Sequence, residues 1–529
     1  MILESDDHYL YLQLPFDLRD DARAIPGHKW LPLQRRWRFP KTTQSFVALR
    51  NRFSWLRVDG PTALWLQAQA QPPNVQMDGF THDRLYPFQQ YGVRFLQTVR
   101  RAMLADAMGS GKTPQALVAA ETLGARRVLV LCPKSLIWNW ESEARRWTSL
   151  PVHIVEGSRM RRAEILAQKA PGLTITNYET AKLVDLRDSW DVIIADESHR
   201  LRNRRTQLAQ AVTRLQAPYI WLLTGTPIHN RPDDLWCPLN WIRPEDFPSY
   251  WAFFEAFVEY YDGPYGREVI GGRNIDTLWR LLLPFTLRRP KPPLPDKIVQ
   301  VVPVKLDAAQ KKLYRQIEHE TLLEIAGRED PLVIWGSLAR LTRLKQAALA
   351  PEVLGATCGS AKLEACLDIV EDAAKDQFVI YTGYTEVLKL LRDRLEPHAE
   401  LYGEMPPAQR QEEVERFRSG QVRILVATLG TGGEGINLTP AHRAIFLDHP
   451  WNPAVVEQAE DRIHRIGQGE PCHYIHLVAR DTVDETIMAV LRSKAELAGR
   501  IEERAHLIGI DRLTSQDLYM QALADANSE

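Results

Sequence analysis

Cysteine is scarce: five residues in 529, at 132, 237, 358, 366 and 472, with no C-x-x-C pair. So sparse and odd a set excludes a disulfide framework and a cysteine-based structural zinc, and reads as reduced thiols inside a cell. Also missing is any stretch of ~18 uninterrupted apolar residues, the length of a membrane span. The opening Met1–Asp7 is acidic rather than basic and leads into no short apolar run with a cleavage site, so a secretory leader is not expected. Nor is there an excess of one charge. Lys and Arg total 66 against 67 for Asp and Glu. That excludes a uniformly basic nucleic-acid coat protein and leaves room for local basic patches. Short repeats and low-complexity tracts are absent as well. What remains is 45% hydrophobic and 25% charged, an ordinary soluble composition with enough apolar residues for a core in each of three or four domains. The expected location is the cytoplasm, nucleoid-associated in a prokaryote or phage host and nuclear in a eukaryote, with no membrane partner.

From residue 100 onward, short apolar runs alternate with longer amphipathic stretches. Ala102–Ala105, Val128–Cys132, Leu173–Thr176, Val192–Ala195 and Ile220–Thr224 read as buried strands bounded by turn residues. The alternation then recurs at Phe378–Tyr381, Ile424–Thr428, Ala444–Leu447 and Tyr474–Val478. Strand–helix alternation implies parallel sheets covered on both faces. The expected class is therefore α/β, with two parallel-sheet lobes. Residues 236–285 are rich in Trp, Phe, Tyr and Leu and read as helices packed on the first lobe. Pro284–Pro295 holds five prolines, cannot be a helix, and reads as a stiff connector. The resulting division is an N-terminal module at 1–80, a first lobe at 81–285 and a linker at 286–303. A second lobe follows at 304–495, then a helical tail at 496–529.

The N-terminal module has its own character. Tyr9–Leu14 reads as one strand. Between Ala22 and Val58 lie nine basic residues and no acidic one, with Trp30, Trp37, Phe39 and Trp55 interleaved. Cations attract phosphates and aromatic faces stack on bases, so Arg36, Trp37 and Arg38 are candidate nucleic-acid contacts. The alternative is a small folded domain with its tryptophans in the core and its arginines solvated.

Chemistry-bearing motifs fall at strand ends. Ala102–Ala105 runs into Asp106-Ala-Met-Gly109-Ser110-Gly111-Lys112-Thr113. A glycine-rich turn between strand and helix aims backbone N–H groups at phosphates. Lys112 is then placed for the β- and γ-phosphates of a nucleotide and Thr113 for Mg²⁺. The strict phosphate-loop pattern fails at its first position, where Asp106 replaces Gly. Val192–Ala195 is followed by Asp196-Glu197-Ser198-His199. Carboxylates at the carboxyl end of a parallel strand share a crevice with such a loop. Asp196 is expected to hold Mg²⁺, and Glu197 to orient or deprotonate the attacking water. Leu222–Pro227, with Asn230 behind it, is a strand ending in small hydroxyl residues. Near the C-terminus, Arg462 and Arg465 are three apart, and on a helix they share a face. Two guanidiniums there suit charge neutralisation on a transferring γ-phosphoryl group.

Taken together, these motifs resemble the Swi/Snf-type DNA translocases of helicase superfamily two, in family order from about Leu85 to about Asp484. Leu85–Val93 is similar to the adenine-reading Q motif, with Gln89 as base contact. Asp106–Thr113 resembles motif I, which in this family also tends to begin with Asp, and it makes Gly109, Ser110, Gly111, Lys112 and Thr113 the ATP-binding loop. Leu131–Leu136, with Trp138 and Trp140, resembles motif Ia and implies DNA contacts by Lys134 and Ser135. Thr176–Glu179 resembles motif Ib and implies the same for Asn177. Asp196–His199 and Leu223–Pro227 resemble motifs II and III, and Tyr381–Thr385 resembles motif IV. Thr428–Leu438 resembles motif V, with Gly435 at the nucleotide. Trp451-Asn-Pro453 and Gln458–Gln468 resemble the family's last segments, with Trp451 on DNA and Arg462 and Arg465 completing the ATP site. Ser198 in motif II and Glu434 in motif V depart from the commoner pattern. Ile25–Trp30 with Trp37–Pro40 resembles the HARP-type module of annealing helicases.

The resemblance implies two RecA-like lobes and ATP and Mg²⁺ as cofactors. It also implies double-stranded or forked DNA as partner and a monomeric, DNA-dependent ATP hydrolase that translocates without processive strand separation. Two rivals stand beside this. A strand-separating DNA or RNA helicase needs a wedge hairpin, for which the sequence offers no candidate. A catalytically silent nucleic-acid scaffold sits badly with intact Lys112, Glu197, Arg462 and Arg465.

Overall fold

The computed structural model describes residues 1–491 apart from 54, 70, 78, 226–230, 264–265, 290–293, 326–331, 433–435, 452 and 490. Gly435, Thr226, Pro227, Asn230 and the expected tail at 496–529 therefore lie outside the described residues. Two compact units are present, with the boundary between Pro290 and Lys291.

The first unit opens with five short strands, β1 (Ile2–Ser5), β2 (Tyr9–Leu12), β3 (Lys29–Leu31), β4 (Arg36–Pro40) and β5 (Arg57–Val58), in the order β3-β4-β2-β1-β5. Side chains alternate across a strand. Leu10 and Leu12 of β2 and Trp37 and Phe39 of β4 thus join Leu3, Ala48, Leu49 and Phe53 in a core. Tyr9, Tyr11, Arg36 and Arg38 occupy the opposite face, where Arg36 lies 4.0 Å over the Tyr11 ring and Arg38 3.9 Å over Tyr9. This corrects one candidate: Trp37 is only 6% exposed and is a core residue, unavailable for base stacking.

The missing acids of residues 22–58 come from the flanks. Glu4 pairs with Arg36 at 3.2 Å and Asp21 with Arg52 at 3.2 Å, while Lys41 donates to the Asp6 carbonyl. The module is fastened to the rest of its unit through Asn51, whose Nδ2 donates to the Glu255 and Ala256 carbonyls at 3.3 and 3.2 Å.

Next come β6 (Arg101–Leu104), β7 (Arg127–Cys132), β8 (Val152–Ile154), β9 (Gly172–Asn177), β10 (Val192–Asp196) and β11 (Tyr219–Leu223). The aromatic stretch that follows is not all helix. Helices Trp236–Ile242, Tyr250–Phe257 and Ile275–Leu282 enclose an antiparallel hairpin, β12 (Val258–Gly263) and β13 (Gly266–Gly272). Then β14 (Thr286–Leu287) closes a seven-stranded parallel sheet in the order β14-β6-β11-β10-β7-β9-β8. Its inner strands are buried along nearly their whole length and largely apolar because each face has a core. Met103, Leu129, Ile193 and Ile220 fill one, and Ala102, Val128, Ile194 and Trp221 fill the other.

The second unit repeats the plan with β15 (Lys297–Val304), β16 (Phe378–Thr382), β17 (Ala399–Leu401), β18 (Ile424–Thr428), β19 (Arg443–Phe446) and β20 (Cys472–Ala479). These form a six-stranded parallel sheet, β15-β20-β19-β16-β18-β17. Again two cores flank it, one around Val379, Leu425 and Phe446, the other around Phe378, Ile424 and Ile445. The linker expected at 286–303 is shorter than that. Its ends belong to the sheets as β14 and most of β15, the latter an edge strand where Pro303 is tolerated. No helix among the described residues is long and apolar enough to cross a membrane, and the five cysteines, all among the described residues, form no disulfide.

Candidate nucleotide site and nucleic-acid contacts

In the first sheet Leu223 of β11 pairs on one side with Leu104 of β6 and on the other with Asp196 of β10. The glycine-rich loop and the Asp196-Glu197 pair therefore leave the same edge of the sheet one strand apart. That is the crevice where ligands of parallel sheets bind.

The loop runs from β6 into the helix Lys112–Thr122. Gly109 and Gly111 have φ of +75° and +76°, backbone that side chains rarely permit. A Cβ on Gly111 would also lie 2.4 Å from Gln89 Nε2, so buried Gln89 packs directly against the loop. Its Oε1 accepts the Tyr86 N–H at 3.1 Å at the start of the helix Pro87–Val99. Lys112 Nζ donates to the carbonyls of Asp106 and Ala107 at 2.8 and 3.1 Å. Ser110 is buried and Thr113 half-buried at the helix N-terminus. Glycines with this backbone, a helix N-terminus, a lysine and a hydroxyl fit a nucleotide triphosphate.

The departure at Asp106 has a structural reason. Asp106 is fully buried, and Arg289 Nε donates to its Oδ1 at 3.0 Å while Nη2 donates to Oδ2. Removing either partner would strand a buried charge, a cost of about 3–5 kcal/mol.

At the end of β10, Asp196 is 8% exposed. Its Oδ2 accepts the Trp140 indole N–H at 2.8 Å and its Oδ1 the Glu197 N–H at 3.0 Å. Burial, reinforced by the Glu197 charge, pushes the Asp196 carboxyl above its ordinary range, which a divalent cation would reverse. A buried carboxylate beside a phosphate loop with a hydroxyl at its end suits Mg²⁺. Glu197 adopts φ +49° and ψ +49°, rare for a residue with a side chain and a form of strain that clusters at functional sites. Its Oε2 lies 3.2 Å from His199 Nδ1.

In the second unit the helix Pro453–Glu460 ends before Arg462. The two arginines do not share a helical face as their spacing suggests. They lie in consecutive turns, with Arg465 N–H donating to the Ile463 carbonyl. Two tyrosine hydroxyls help satisfy the helix's last carbonyls, Tyr381 on Ala459 at 3.0 Å and Tyr474 on Glu460 at 2.8 Å. Gln468 Nε2 ties these turns to the Thr439 and Ala441 carbonyls. Glu460 is 6% exposed. Burial alone would raise its carboxyl, but His476 and Lys297 outweigh it and hold the group below the usual range.

The expected DNA contacts divide. Lys134 is exposed and Ser135 half-buried in the turn after β7, and Trp451 is 37% exposed. Asn177 is a correction. It is buried, and its Oδ1 accepts the Thr180 N–H at 2.7 Å, capping the helix Tyr178–Ala181. Trp140, grouped in the sequence with a DNA-facing segment, is instead fully buried on Asp196.

Residues 88–353 match the SNF2-related domain and 361–467 the helicase conserved C-terminal domain. An uncharacterized ATP-dependent helicase of Mycoplasma pneumoniae is 28% identical over 92% of this chain and 48% of its own length. The mouse SWI/SNF-related matrix-associated actin-dependent regulator of chromatin subfamily A member 1 is 31% identical over 77% and 42%. The chain thus spans about half the length of the curated relatives it matches. The SWI2/SNF2 ATPase core of Sulfolobus solfataricus, solved in complex with dsDNA, is 26% identical and covers 85% of this chain and 98% of its own, with a TM-score of 0.38. With one family domain over half its length and a helicase C-terminal domain after it, the chain belongs to the SNF2 family of ATP-dependent, helicase-type enzymes.

Proposed function

We propose that the protein is a monomeric DNA-dependent ATPase that moves along double-stranded DNA and anneals or remodels forked or branched DNA or protein–DNA complexes. The observation that carries the reading is the pairing of the Gly109–Thr113 loop with Asp196 and Glu197 at one edge of a single parallel sheet. Backbone N–H groups and Lys112 hold the β- and γ-phosphates, and Gln89 meets the base. Thr113 and Asp196 hold Mg²⁺, which neutralises charge on the phosphates when bound. Glu197 accepts the proton of the attacking water, with His199 orienting its carboxylate. Arg462 and Arg465 complete the site by neutralising the transferring phosphoryl group, and each cycle of completion and release shifts the grip on the DNA backbone.

Trp140→Phe keeps an aromatic ring in place and removes the indole N–H on Asp196. ATP turnover is expected to fall about 10–100-fold, the usual loss when a ligand's supporting hydrogen bond goes. Titrating Mg²⁺ against turnover checks it, and an unchanged Mg²⁺ dependence would count against Asp196 as ligand.

DNA is gripped through Lys134, Ser135 and Trp451 and through the tyrosine–arginine face of the N-terminal sheet. ATP hydrolysis measured at one salt concentration without nucleic acid, and with single-stranded, duplex and forked DNA and RNA, tests the choice of substrate. The largest stimulation is expected from duplex or forked DNA. Arg36→Ala with Arg38→Ala should weaken forked-DNA binding and reduce the slope of log affinity against log salt by about 2. A second reading, the strand-separating helicase, draws support from the β12–β13 hairpin, which carries exposed Tyr261 and Ile270. Stimulation by single strands or RNA alone would favour it.

A further inference from the structure

The connector between the two units reads in the sequence as a passive proline-rich spacer, yet the residues on either side of it are built into the motifs of the nucleotide site. In the first unit, Arg289 follows β14 and is mostly buried. Its fork holds both carboxylate oxygens of Asp106, the first residue of the phosphate loop. The same guanidinium donates to Gln115 Oε1 at 2.8 Å and to the Phe88 carbonyl. Gln115 in turn donates from Nε2 to the Gly111 carbonyl at 3.1 Å, and Phe88 precedes Gln89. One side chain thus fixes the start of the loop, its last glycine and the helix carrying the base contact. The space is made by Gly92, where a Cβ would come within 1.9 Å of Gln115 Oε1 and 3.0 Å of Arg289 Nη2.

In the second unit, Lys297 opens β15 and donates to Glu460 Oε2, while His476 Nε2 stands 3.7 Å from the other oxygen. Glu460 is the last residue of its helix, two before Arg462, and its carbonyl accepts the N–H groups of Ile463 and His464. The Pro295 carbonyl also takes part, accepting from His464 Nε2 at 2.8 Å.

We propose that Arg289 and Lys297 are positioning residues for ATP hydrolysis, so that the connector is clamped at one end to the phosphate loop and at the other to the arginine-bearing turns. The inference rests on the ATPase reading above. It assigns the two cations different kinetic signatures. Arg289 acts through a loop that grips phosphates in the ground state, so its loss falls on KM for ATP. Lys297 acts through the turns bearing Arg462 and Arg465, whose work is done on the transferring phosphoryl group, so its loss falls on kcat.

The test uses the full chain with duplex DNA at saturation. Arg289→Lys keeps the charge and loses the planar fork, which protects folding. It is expected to raise KM for ATP about tenfold with kcat within about threefold. Lys297→Met is expected to lower kcat about tenfold or more with KM within about threefold, and Lys297→Arg to restore it. Thermal midpoints and circular dichroism of all three separate positioning from loss of fold. Variants whose thermal midpoint alone moves, or folded variants with wild-type KM and kcat, would overturn the inference and leave the ATPase reading standing. An unsubstituted protein that hydrolyses no ATP would overturn the ATPase reading and the inference with it.

Discussion

Replacing Glu197 with Gln is expected to lower ATP turnover by about 10²–10⁴-fold, the range lost with a general base, while nucleotide affinity stays within a few-fold. The amide is isosteric with the carboxylate and still reaches His199, 3.2 Å from the native Oε2, but it can no longer take a proton from water. The left-handed backbone at this position belongs to the turn after β10 and not to the charge, so the turn should survive the change. Single-turnover hydrolysis together with fluorescent-nucleotide binding separates the two effects. Turnover that survives Glu197→Gln would remove Glu197 from the role of base.

The second large effect is expected at the arginines. Arg465→Ala or Arg462→Ala should cost about 10³–10⁵-fold in turnover, the contribution of a guanidinium that neutralises a transferring phosphoryl group. Little change in ATP affinity should accompany it. The surrounding turns are held by other residues, Gln468 on the Thr439 and Ala441 carbonyls and the Leu438 N–H on the Arg462 carbonyl. Truncating either side chain thus leaves those backbone bonds in place. If both variants turned over ATP at the wild-type rate, the second unit would be doing its work without touching the chemistry.

Much of this architecture was legible because both sheets are buried on two faces. Strands such as Val192–Asp196 and Ile424–Thr428 are apolar at successive positions and cannot be mistaken for half-solvated elements. Edge strands carry no such mark. Val152–Ile154 is three half-buried residues, and Thr286–Leu287 is two, within a proline-rich stretch. The hairpin hides in a stretch dense in aromatic and leucine residues that reads as helix. For Trp37 the signal was present: Arg36-Trp37-Arg38-Phe39 alternates, and a period of two puts aromatics inside and arginines outside.

The candidate site was legible where it is local. The phosphate loop and the Asp196-Glu197 pair are each a few contiguous residues at a strand end. Its supports were not, because they come from far along the chain. Arg289 lies 183 positions from Asp106, Lys297 163 from Glu460, and Trp140 56 from Asp196. Arg462 and Arg465 show the limit of spacing arguments. A separation of three suggests one helical face, yet the helix stops at Glu460, where tyrosine hydroxyls and turn N–H groups take its final carbonyls.

Movement along duplex DNA is tested most directly by triplex displacement. A labelled third strand is placed at increasing distances from the end of a blunt duplex, and its release is followed after ATP addition. Release that requires ATP, with a lag growing in proportion to distance and no separation of the underlying duplex, is the expected result. DNA-stimulated ATP hydrolysis with no third-strand release at any distance would contradict a translocating motor.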